Sequence, residues 1–376
     1  MTSQSPIVLT AGGTGGHIFP SIAVAEELVY RGHTIFFVTD SRGLKLWKTS
    51  EKILVKCISA SHIHGNIQLK LKGVFSIAAG LLQACRIIAQ QKPSCVAGFG
   101  GYASFPMMLS ATLLGLPTII HEQNAVMGRT NRAFSKKAKF IATSFKETSG
   151  INIRNKRKTI LTGNPIRAEF TRIRDNPYPF VGSVRQPLKV LILGGSQGTS
   201  IFGKVVPQAI TTLPPHLHRR FSVVQQCRAE DIEKIRSTYL EAGIRAELST
   251  FFENVHEHIE NSHIVISRSG ASTIAELAEA GRPAILVPYP HSTDNHQLGN
   301  AHQFAQTGAG WIISNETFNE KNLAKYLRNL IDKPQRLVNA ANAARQLGGK
   351  HSTQGLCDLI ETIAIKRPKP VGKVMI

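Results

Sequence analysis

The sequence predicts an α/β fold built from two doubly wound, Rossmann-like domains. A short apolar strand, a glycine-rich loop and a helix follow one another at the start of the chain, and the same succession recurs near residue 188. Strands and helical segments alternate after each opening, as they do in parallel sheets with helices on both faces. The length of 376 residues also suits two domains.

The first domain opens with a β-strand at Ile7–Thr10, which runs into the loop Ala-Gly-Gly-Thr-Gly-Gly-His at residues 11–17. A helix is predicted over Ser21–Tyr30, and Gly32 closes it because glycine ends helices. The next strand is predicted over Thr34–Thr39, which is rich in β-branched and aromatic residues.

An uncharged stretch from Pro93 to Ile120 is long enough to span a bilayer. Glycines and prolines divide it into pieces too short for a transmembrane helix, so it is predicted as globular structure. The predicted pieces are a buried strand, a short helix and a second strand, at Cys95–Gly98, Phe105–Leu114 and Thr118–His121.

The second domain repeats the opening with a strand at Lys189–Leu193 and the loop Gly-Gly-Ser-Gln-Gly at residues 194–198. Later strands and helices are predicted at Ser222–Gln226, Ile264–Ser267, Thr273–Ala280 and Ala284–Val287. A segment rich in proline and arginine separates the two openings, so the domains are expected at residues 1–167 and 168–352. A last helix at about residues 353–366 could pack back on the first domain.

The charge of the chain is concentrated in its first half. Residues 1–200 carry 25 basic and 8 acidic side chains, whereas residues 201–376 carry 20 and 16. The first half is therefore expected to meet an anionic partner, which could be nucleic acid, an acidic membrane surface or a phosphorylated substrate.

The cysteines indicate a reducing compartment. The chain has five, an odd number, and they form no Cys-x-x-Cys pair, which argues against a disulfide framework and a zinc module. The amino terminus lacks a basic start followed by an apolar run, so no signal peptide is predicted.

Both glycine loops lead from a strand into a helix, where backbone N–H groups and the helix dipole favour phosphate. Neither loop has the Gly-x-Gly-x-x-Gly spacing of a dinucleotide site. In the first loop, Gly13 and Gly15 are followed by Ile at position 18, and in the second, Gly195 and Gly198 have the wrong spacing. Neither loop is followed by the Gly-Lys-Ser/Thr of a Walker A motif. Asp40 ends the second strand, where nicotinamide enzymes keep a ribose-binding carboxylate, but such a residue is more often a helix cap.

The second half offers a better phosphate site. The strand Ile264–Ser267 runs into Arg268, and Ser269–Thr273 would then line a helix start with N–H groups and hydroxyls that suit a diphosphate. Glu276 lies near the first turn, where it could accept two hydrogen bonds from a ribose diol or act only as a helix-favouring acid. From the residues alone, the two interpretations of Glu276 are about equal.

Seven motifs occur in order along the chain: Thr10-Ala-Gly-Gly-Thr-Gly-Gly-His17, Gly98-Phe-Gly-Gly-Tyr102, His121-Glu-Gln-Asn124, Gly163-Asn-Pro-Ile-Arg167, Gly194-Gly-Ser-Gln-Gly198, Arg268-Ser-Gly-Ala271 through Glu276, and Asp294-Asn-His-Gln297. Together they resemble the MurG family of peptidoglycan glycosyltransferases. That family moves N-acetylglucosamine from its UDP carrier onto the lipid-linked muramyl-peptide lipid I, which gives lipid II. The resemblance extends from residue 7 to about residue 350.

The resemblance implies a GT-B fold of two facing domains, with the acceptor on the first and the UDP-sugar mainly on the second. In the first domain it implies that the glycine loop approaches the donor and that Asn124 contacts the sugar, and near the diphosphate and sugar it places Arg167 and Ser196. The implied donor contacts of the glycine loop are Thr14, Gly15 and Gly16. In the second domain the implied nucleotide contacts are Ala271, Ser272, Thr273, Ile274, Ala275, Glu276 on the ribose, Gln297 and, through its backbone, Phe252.

Inverting glycosyl transfer needs a base for the acceptor hydroxyl and a way to stabilise the departing diphosphate. His17 is the candidate base because its ordinary pKa suits a cytoplasmic pH, although it could only fill the loop. Glu122 is the rival, unless it is a structural acid that anchors its own loop. No Asp-x-Asp pair is present, so we expect no metal and no cofactor, with helix dipole, hydroxyls and Arg167 stabilising the leaving group.

A lipid-linked acceptor implies that the enzyme visits an anionic membrane surface, as a peripheral protein on the cytoplasmic face of the inner membrane. Residues 69–92 combine apolar and basic positions and could form an interfacial helix or an ordinary helix packed on the sheet. Other cell-wall enzymes are possible partners. Nucleic acid is not expected as a partner because no recognition motif accompanies the basic run Arg154–Lys158. The alternatives are a GT-B transferase with another UDP-sugar or lipid acceptor and, remotely, a nicotinamide-dependent oxidoreductase.

Overall fold

The computed structural model describes residues 5–47, 53–60, 67–179, 186–195, 199–349 and 351–364, without the side chains of residues 67–72 and 74. The chain forms two compact units. The first comprises the residues up to Arg167 together with those from His351 onward, and the second runs from Ala168 to Lys350. Among the helices described, none is long and apolar enough to cross a membrane.

The first unit contains a seven-stranded sheet in the order β3-β2-β1-β4-β5-β6-β7, and all its described strand pairs are parallel. The strands are β1 (Ile7–Thr10), β2 (Ile35–Thr39), β3 (Leu54–Cys57), β4 (Cys95–Gly98), β5 (Thr118–Glu122), β6 (Phe140–Thr143) and β7 (Thr159–Leu161). The order reverses between β1 and β4, so the loops after these two strands lie at the switch point where open α/β sheets bind ligands.

The helices of the first unit are α1 (Gly15–Tyr30), α2 (Ser41–Leu46), α3 (Ile67–Gln91), α4 (Phe105–Leu113) and α5 (Arg129–Phe134), with short 3-10 helices at Tyr102–Ser104 and Ile153–Lys158. Helix α1 begins six residues before the predicted start at Ser21, and Pro20 lies inside it. A proline near a helix start costs the one hydrogen bond that its missing N–H would have made, which the rest of α1 tolerates.

The second unit contains a six-stranded sheet in the order β10-β9-β8-β11-β12-β13, again parallel in every described pair. Its strands are β8 (Leu188–Leu193), β9 (Phe221–Gln226), β10 (Arg245–Ser249), β11 (Ile264–Ser267), β12 (Ala284–Leu286) and β13 (Gly310–Ile312). The switch point lies between β8 and β11. Two parallel, doubly wound sheets confirm the predicted fold class.

The helices of the second unit are α6 (Ala168–Arg172), α7 (Ser200–Thr211), α8 (Pro215–His218), α9 (Ile232–Glu241), α10 (Val255–Asn261), α11 (Ala271–Ala280), α12 (His296–Gln306), α13 (Glu320–Asp332) and α14 (Gln335–Leu347), with 3-10 helices at Ala229–Asp231 and Thr293–Asn295. Helix α11 follows β11 after a loop of three residues, so its amino terminus points at the carboxyl edge of the sheet.

Both faces of the first sheet carry an apolar core. Because side chains alternate along a strand, Leu9 of β1 faces one core and Val8 faces the other. The core around Leu9 is completed by Leu356 and Ile360 of the last helix, α15 (Ser352–Ala364), which packs on α1. The returning helix is therefore an integral part of the first unit.

Polar contacts also join α15 to the end of α1. Arg31 contacts three carboxylates, Glu27 at 2.8 Å, Asp358 at 2.5 Å and Glu361 at 2.9 Å, and its side chain is 21% exposed. The second oxygen of Glu361 lies 2.7 Å from Nε2 of His33. The cluster thus joins α15 to the end of α1 by ion pairs, in addition to their apolar contact.

Candidate active site

The glycine loop after β1 lies against the loop after β4. The N–H of Gly12 donates to the carbonyl of Gly100 at 2.9 Å, and the N–H of Phe99 donates to the carbonyl of Thr10 at 2.8 Å. A Cβ on Gly12 would lie 2.7 Å from the Cα of Gly101, which has a φ of +78°. Only glycine permits this approach, and it fixes both loops at the switch point of the first sheet.

His17 lies in the first turn of α1 and is held by the residue that caps the helix. Oγ1 of Thr14 is 2.8 Å from Nδ1 of His17, so this hydroxyl orients the imidazole instead of capping the helix. The ring is partly buried, and Thr14 is exposed. In the tautomer that donates from Nδ1 to Thr14, Nε2 carries the lone pair that a base needs.

Gly15 and Gly16 form the first residues of α1, beside His17, so their backbone lies at the positive end of the helix. Adding a Cβ to Gly16 would meet no atom within 4 Å, whereas a Cβ on Gly15 would lie 2.8 Å from the ring of Phe19. The guanidinium of Arg167 lies 5.4 Å above the same Phe19 ring. Arg167 therefore packs beside the helix start that carries Thr14.

The carboxylate of Glu122 is buried and accepts four hydrogen bonds. The donors are the N–H and Nδ2 of Asn124 at 3.0 and 3.3 Å, the N–H of Gly128 at 2.9 Å and Nδ2 of Asn131 at 2.8 Å. Burial raises the pKa of Glu122, and these hydrogen bonds oppose the rise. The contacts anchor the turn from Asn124 to Gly128, which is the structural role that the sequence left open.

Gly100 brings the His17 and Glu122 groups together. A Cβ built on Gly100 would lie 3.2 Å from Nδ2 of Asn131 and 3.3 Å from Cδ2 of His17. Asn131, which the sequence did not single out, thus links the buried carboxylate to the surroundings of the candidate base. No sequence pattern marks Asn131, because its role depends on the fold.

His121, the first residue of the His-Glu-Gln-Asn motif, is also buried beside this network. Its Nε2 lies 3.0 Å from the carbonyl oxygen of Gly163, and Gln123 donates to its Nδ1 at 3.1 Å. Burial lowers the pKa of His121 to about 4, so the ring is neutral near pH 7. His121 therefore connects β5 with the loop after β7 and carries no charge.

Asp40 is a helix cap. Its Oδ1 accepts from the N–H of Gly43 at 2.9 Å and its Oδ2 from the hydroxyl of Tyr102 at 2.9 Å, and the residue is 3% exposed. A ribose-binding carboxylate needs free, accessible acceptor sites. The nicotinamide alternative, which depended on Asp40, has no support in this geometry.

In the second unit, the amino terminus of α11 has no side-chain cap. Its N-cap is Gly270, and among the described residues Oγ of Ser272 is buried without a hydrogen-bond partner, as is Oγ of Ser267 at the end of β11. An uncapped helix start presents free N–H groups and a positive dipole end. Thr273 and Ala275 are partly buried in the same helix, while Ala271 and Ile274 are buried. The arrangement suits an anion.

Arg268 holds the loops around this helix start. Its Nη1 donates to the carbonyls of Val287 and Pro288 at 3.0 and 3.1 Å and to Oδ1 of Asn315 at 3.0 Å, and its Nη2 donates to Oγ1 of Thr199 at 3.4 Å. Burial lowers the pKa of Arg268. Arg268 belongs to one of the seven motifs, but its role could not be predicted because no local pattern shows which loops its side chain joins.

The other predicted donor contacts lie on the same unit. Glu276 is 8% exposed in the second turn of α11, and Oε1 of Gln297 accepts from the N–H of Tyr289 at 2.9 Å. The carbonyl of Gln297 accepts from Oγ of Ser269 at 2.8 Å, which ties α12 to the loop before α11. Phe252 packs its ring 4.5 Å from that of His258.

Ser196 lies outside the described residues. Within the part of the chain that the structure describes, no group of three or more His, Cys, Asp or Glu side chains could hold a metal ion.

The predicted residues form one group in each unit. The first unit has Thr14 to His17 with Asn124 and Glu122, and the second has Ala271 to Glu276 with Gln297.

Comparison with known proteins identifies both units. Residues 7–143 match the glycosyltransferase family 28 N-terminal domain, and residues 189–361 match the glycosyltransferase family 28 C-terminal domain. The chain is 42% identical over 369 residues to the UDP-N-acetylglucosamine--N-acetylmuramyl-(pentapeptide) pyrophosphoryl-undecaprenol N-acetylglucosamine transferase of Zymomonas mobilis, with 98% of this chain and 95% of that protein covered. A protein of the same name from Rhodospirillum centenum is also 42% identical, over 95% of this chain and 94% of its own length.

A solved structure agrees with these relatives. The crystal structure of Acinetobacter baumannii MurG superposes with a TM-score of 0.78 at 30% identity and covers 95% of this chain and 99% of its own. The matched domains and the full-length identity confirm the GT-B fold and the resemblance carried by the seven motifs. The chain belongs to the MurG family of family 28 glycosyltransferases and is a UDP-sugar-dependent hexosyltransferase.

Proposed function

We propose that this enzyme transfers N-acetylglucosamine from UDP-N-acetylglucosamine to lipid I with inversion, which produces lipid II for peptidoglycan. The relatives' names give both substrates, and one structural observation carries the proposal for this chain. The start of α11, uncapped and with a Ser272 hydroxyl that is buried and has no partner in the described part of the chain, would bind the donor diphosphate.

The donor half of the proposal assigns the nucleotide to the second unit. The N–H groups from Ala271 to Thr273 would bind the diphosphate, and Glu276, one turn further, would accept hydrogen bonds from the ribose hydroxyls. Gln297 and the backbone of Phe252 would complete the pocket around the sugar and the base. Arg268 does not need to touch the donor, because its hydrogen bonds position the loops that do.

The chemical step is proposed to use His17. Its imidazole would take the proton of the acceptor hydroxyl while that oxygen attacks the anomeric carbon and the bond from that carbon to the UDP diphosphate breaks. The Thr14 hydroxyl would hold the imidazole in the orientation the transfer needs. On the second unit, the leaving diphosphate would be stabilised by the N–H groups and dipole of α11.

Glu122 is proposed as a positioning residue and not as the base. All four of its described hydrogen bonds come from its own loop and from α5, and they hold Asn124, whose side chain would contact the donor sugar. These hydrogen bonds occupy the carboxylate on its own loop and on α5, and they oppose the rise in pKa that burial causes.

The experiment that tests the proposed function is radiolabelled transfer from UDP-N-acetylglucosamine to a lipid I analogue. UDP-N-acetylgalactosamine serves as the competing donor, since it differs only in the orientation of one hydroxyl. Transfer from the first donor with clear preference over the second is expected. Absence of transfer to the analogue, with UDP bound normally, would contradict the assignment of the acceptor.

We also propose that the first unit binds an anionic membrane surface as a peripheral protein on the cytoplasmic face. Helix α3 has a buried side, with Ala84 and Ile88 packed in the core, and an outer side on which Phe75 and Leu82 are 74% and 73% exposed. The neighbouring helix α4 ends with Leu113, which is 69% exposed. The side chains of Lys70, Lys72 and Val74 lie outside the described part.

The charge of the first unit supports the proposal that this unit binds the membrane surface. Residues 1–167 and 351–376 carry 25 basic and 8 acidic side chains, whereas residues 168–350 carry 20 and 16. Each basic residue near anionic lipid contributes about 1 kcal/mol. Co-sedimentation with anionic vesicles should weaken in Leu82→Ser but not in Leu240→Ser, a control on the second unit whose side chain is 76% exposed. Equal binding of both variants, or equal binding to neutral vesicles, would contradict the proposal.

A further inference from the structure

Arg42 lies beside the glycine loop of the first unit in a fixed orientation. Its guanidinium carbon is 4.7 Å from the centre of the Tyr102 ring, and its Nε lies 3.3 Å from Oδ2 of Asp40. The hydroxyl of Tyr102 donates to the same carboxylate oxygen at 2.9 Å. The aromatic ring and the capping carboxylate thus hold one face and one edge of the guanidinium.

The cluster is built at the switch point, against the glycine loop that leads to the candidate base. A Cβ on Gly13 would lie 2.7 Å from the Cβ of Arg42, so the stem of Arg42 touches the loop that continues into Thr14 and His17. Tyr102 follows the two glycines that face the other side of that loop. Arg42 therefore packs on the glycine loop, residues 11–17, that ends at His17.

The terminal nitrogens of Arg42 make no hydrogen bond within the described residues. Its side chain is 48% exposed, and its hydrogen bond within the described residues uses Nε, so both Nη atoms can bind a ligand. An arginine held on an aromatic face presents its remaining donors as a planar fork, which matches phosphate and carboxylate oxygens. A lysine could provide the charge but not the fork.

We propose that Arg42 binds an anionic group of the acceptor and thereby sets the position of the acceptor hydroxyl relative to His17. This inference rests on the proposed function, because it assumes an acceptor that carries a diphosphate and a peptide. Both contain oxyanions of the right chemistry. The Asp40 carboxylate, already bonded to Gly43 and Tyr102, orients Arg42 without blocking the fork.

Steady-state kinetics with a water-soluble, short-chain lipid I analogue test the inference. Arg42→Gln should raise the KM for the acceptor by about ten- to a hundredfold, the effect of losing charge-assisted hydrogen bonds, while the KM for UDP-N-acetylglucosamine stays within about twofold. Arg42→Lys should recover part of the loss. Arg157→Gln is the matched control, since Arg157 is exposed in the 3-10 helix that leads into β7, at the opposite edge of the sheet.

The outcomes distinguish a failure of the proposed role of Arg42 from a failure of the proposed transferase function. If wild-type enzyme transfers the sugar and Arg42→Gln has an unchanged acceptor KM, or raises both KM values equally, the role of Arg42 is refuted while the proposed function stands. If wild-type enzyme transfers nothing to the analogue, both fail. An analogue whose peptide carboxylates are amidated distinguishes the sources of the anion: a persistent effect of Arg42→Gln assigns the diphosphate, and a vanished effect assigns the peptide.

Discussion

Replacement of His17 tests the chemical step most directly. A general base contributes about 10²–10⁴-fold, so His17→Ala should lower kcat by that factor. The KM for UDP-N-acetylglucosamine should stay within about threefold, because the proposed nucleotide contacts lie on α11 and α12 of the second unit. His302→Ala is the matched control, since His302 is exposed on α12.

The contact between Thr14 and His17 allows a separate estimate of how much kcat depends on the orientation of the imidazole. The hydrogen bond between Nδ1 of His17 and Oγ1 of Thr14 is 2.8 Å long, and a neutral hydrogen bond of this kind is worth about 0.5–1.5 kcal/mol. Thr14→Val, which keeps the shape and removes the hydroxyl, should therefore lower kcat by about two- to twelvefold. In the double variant the Thr14 effect should vanish, because no imidazole remains to be oriented.

Single-turnover transfer of radiolabelled sugar, with UDP binding measured separately by calorimetry, provides the assay. A kcat of His17→Ala within tenfold of the wild-type value would refute the role of His17 as base. Additive effects of the two substitutions would refute the orienting role of Thr14, since independent residues act independently.

Three further predictions concern stability. Gly12→Ala should lower the free energy of unfolding by about 1–3 kcal/mol through backbone overpacking, whereas Gly355→Ala, which meets no atom within 4 Å in a helix, should be neutral or stabilising in urea titrations. Arg31→Ala should cost about 1–3 kcal/mol by breaking a partly buried contact with three carboxylates, whereas Arg236→Ala, in an exposed pair of 3.5 Å, should cost less than about 0.5 kcal/mol. Between pH 6.5 and 4, wild-type enzyme should lose about 3 kcal/mol more stability than His121→Gln, because the folded pKa is about 4 against an ordinary value of 6.5. Equal costs within either pair, or parallel pH profiles, would contradict the corresponding argument.

The sign of the His121 effect follows from proton binding. The unfolded chain takes up a proton on this histidine below pH 6.5 and the folded chain does not until about pH 4, so acid favours unfolding in that window. Glu122 acts in the opposite sense, since its raised folded pKa makes the folded state bind its proton first as pH falls. The comparison with His121→Gln isolates the histidine because Glu122 is present in both proteins.

The sequence was sufficient where local patterns determine structure. Strands β1, β4 and β11 have the predicted limits, since each is a short buried apolar run closed by glycine, serine or threonine. The start of α1 was misplaced because residues 11–17 were assigned to the glycine loop, while in the structure the helix begins at Gly15 and includes Pro20. Patterns in one segment do not show how much of a helix its neighbours will stabilise.

The candidate site was predictable by residue type but not by role. Glu122 and Asp40 were both identified as carboxylates with two interpretations, and only the donors around them, from Asn131 and Tyr102, favour the anchoring and capping roles. Those donors come from segments distant in sequence. The same holds for Arg268, whose partners are contributed by three separate loops.

The return of α15 to the first unit has a consequence for synthesis of the protein. Leu356, Cys357 and Ile360 are needed to cover the apolar side of α1, yet they are translated after the entire second unit. The first unit therefore cannot complete its core during synthesis until residues 352–364 have left the ribosome, and until then part of its apolar surface stays exposed. A stop codon near residue 350 would leave the second unit intact and the first unable to mature.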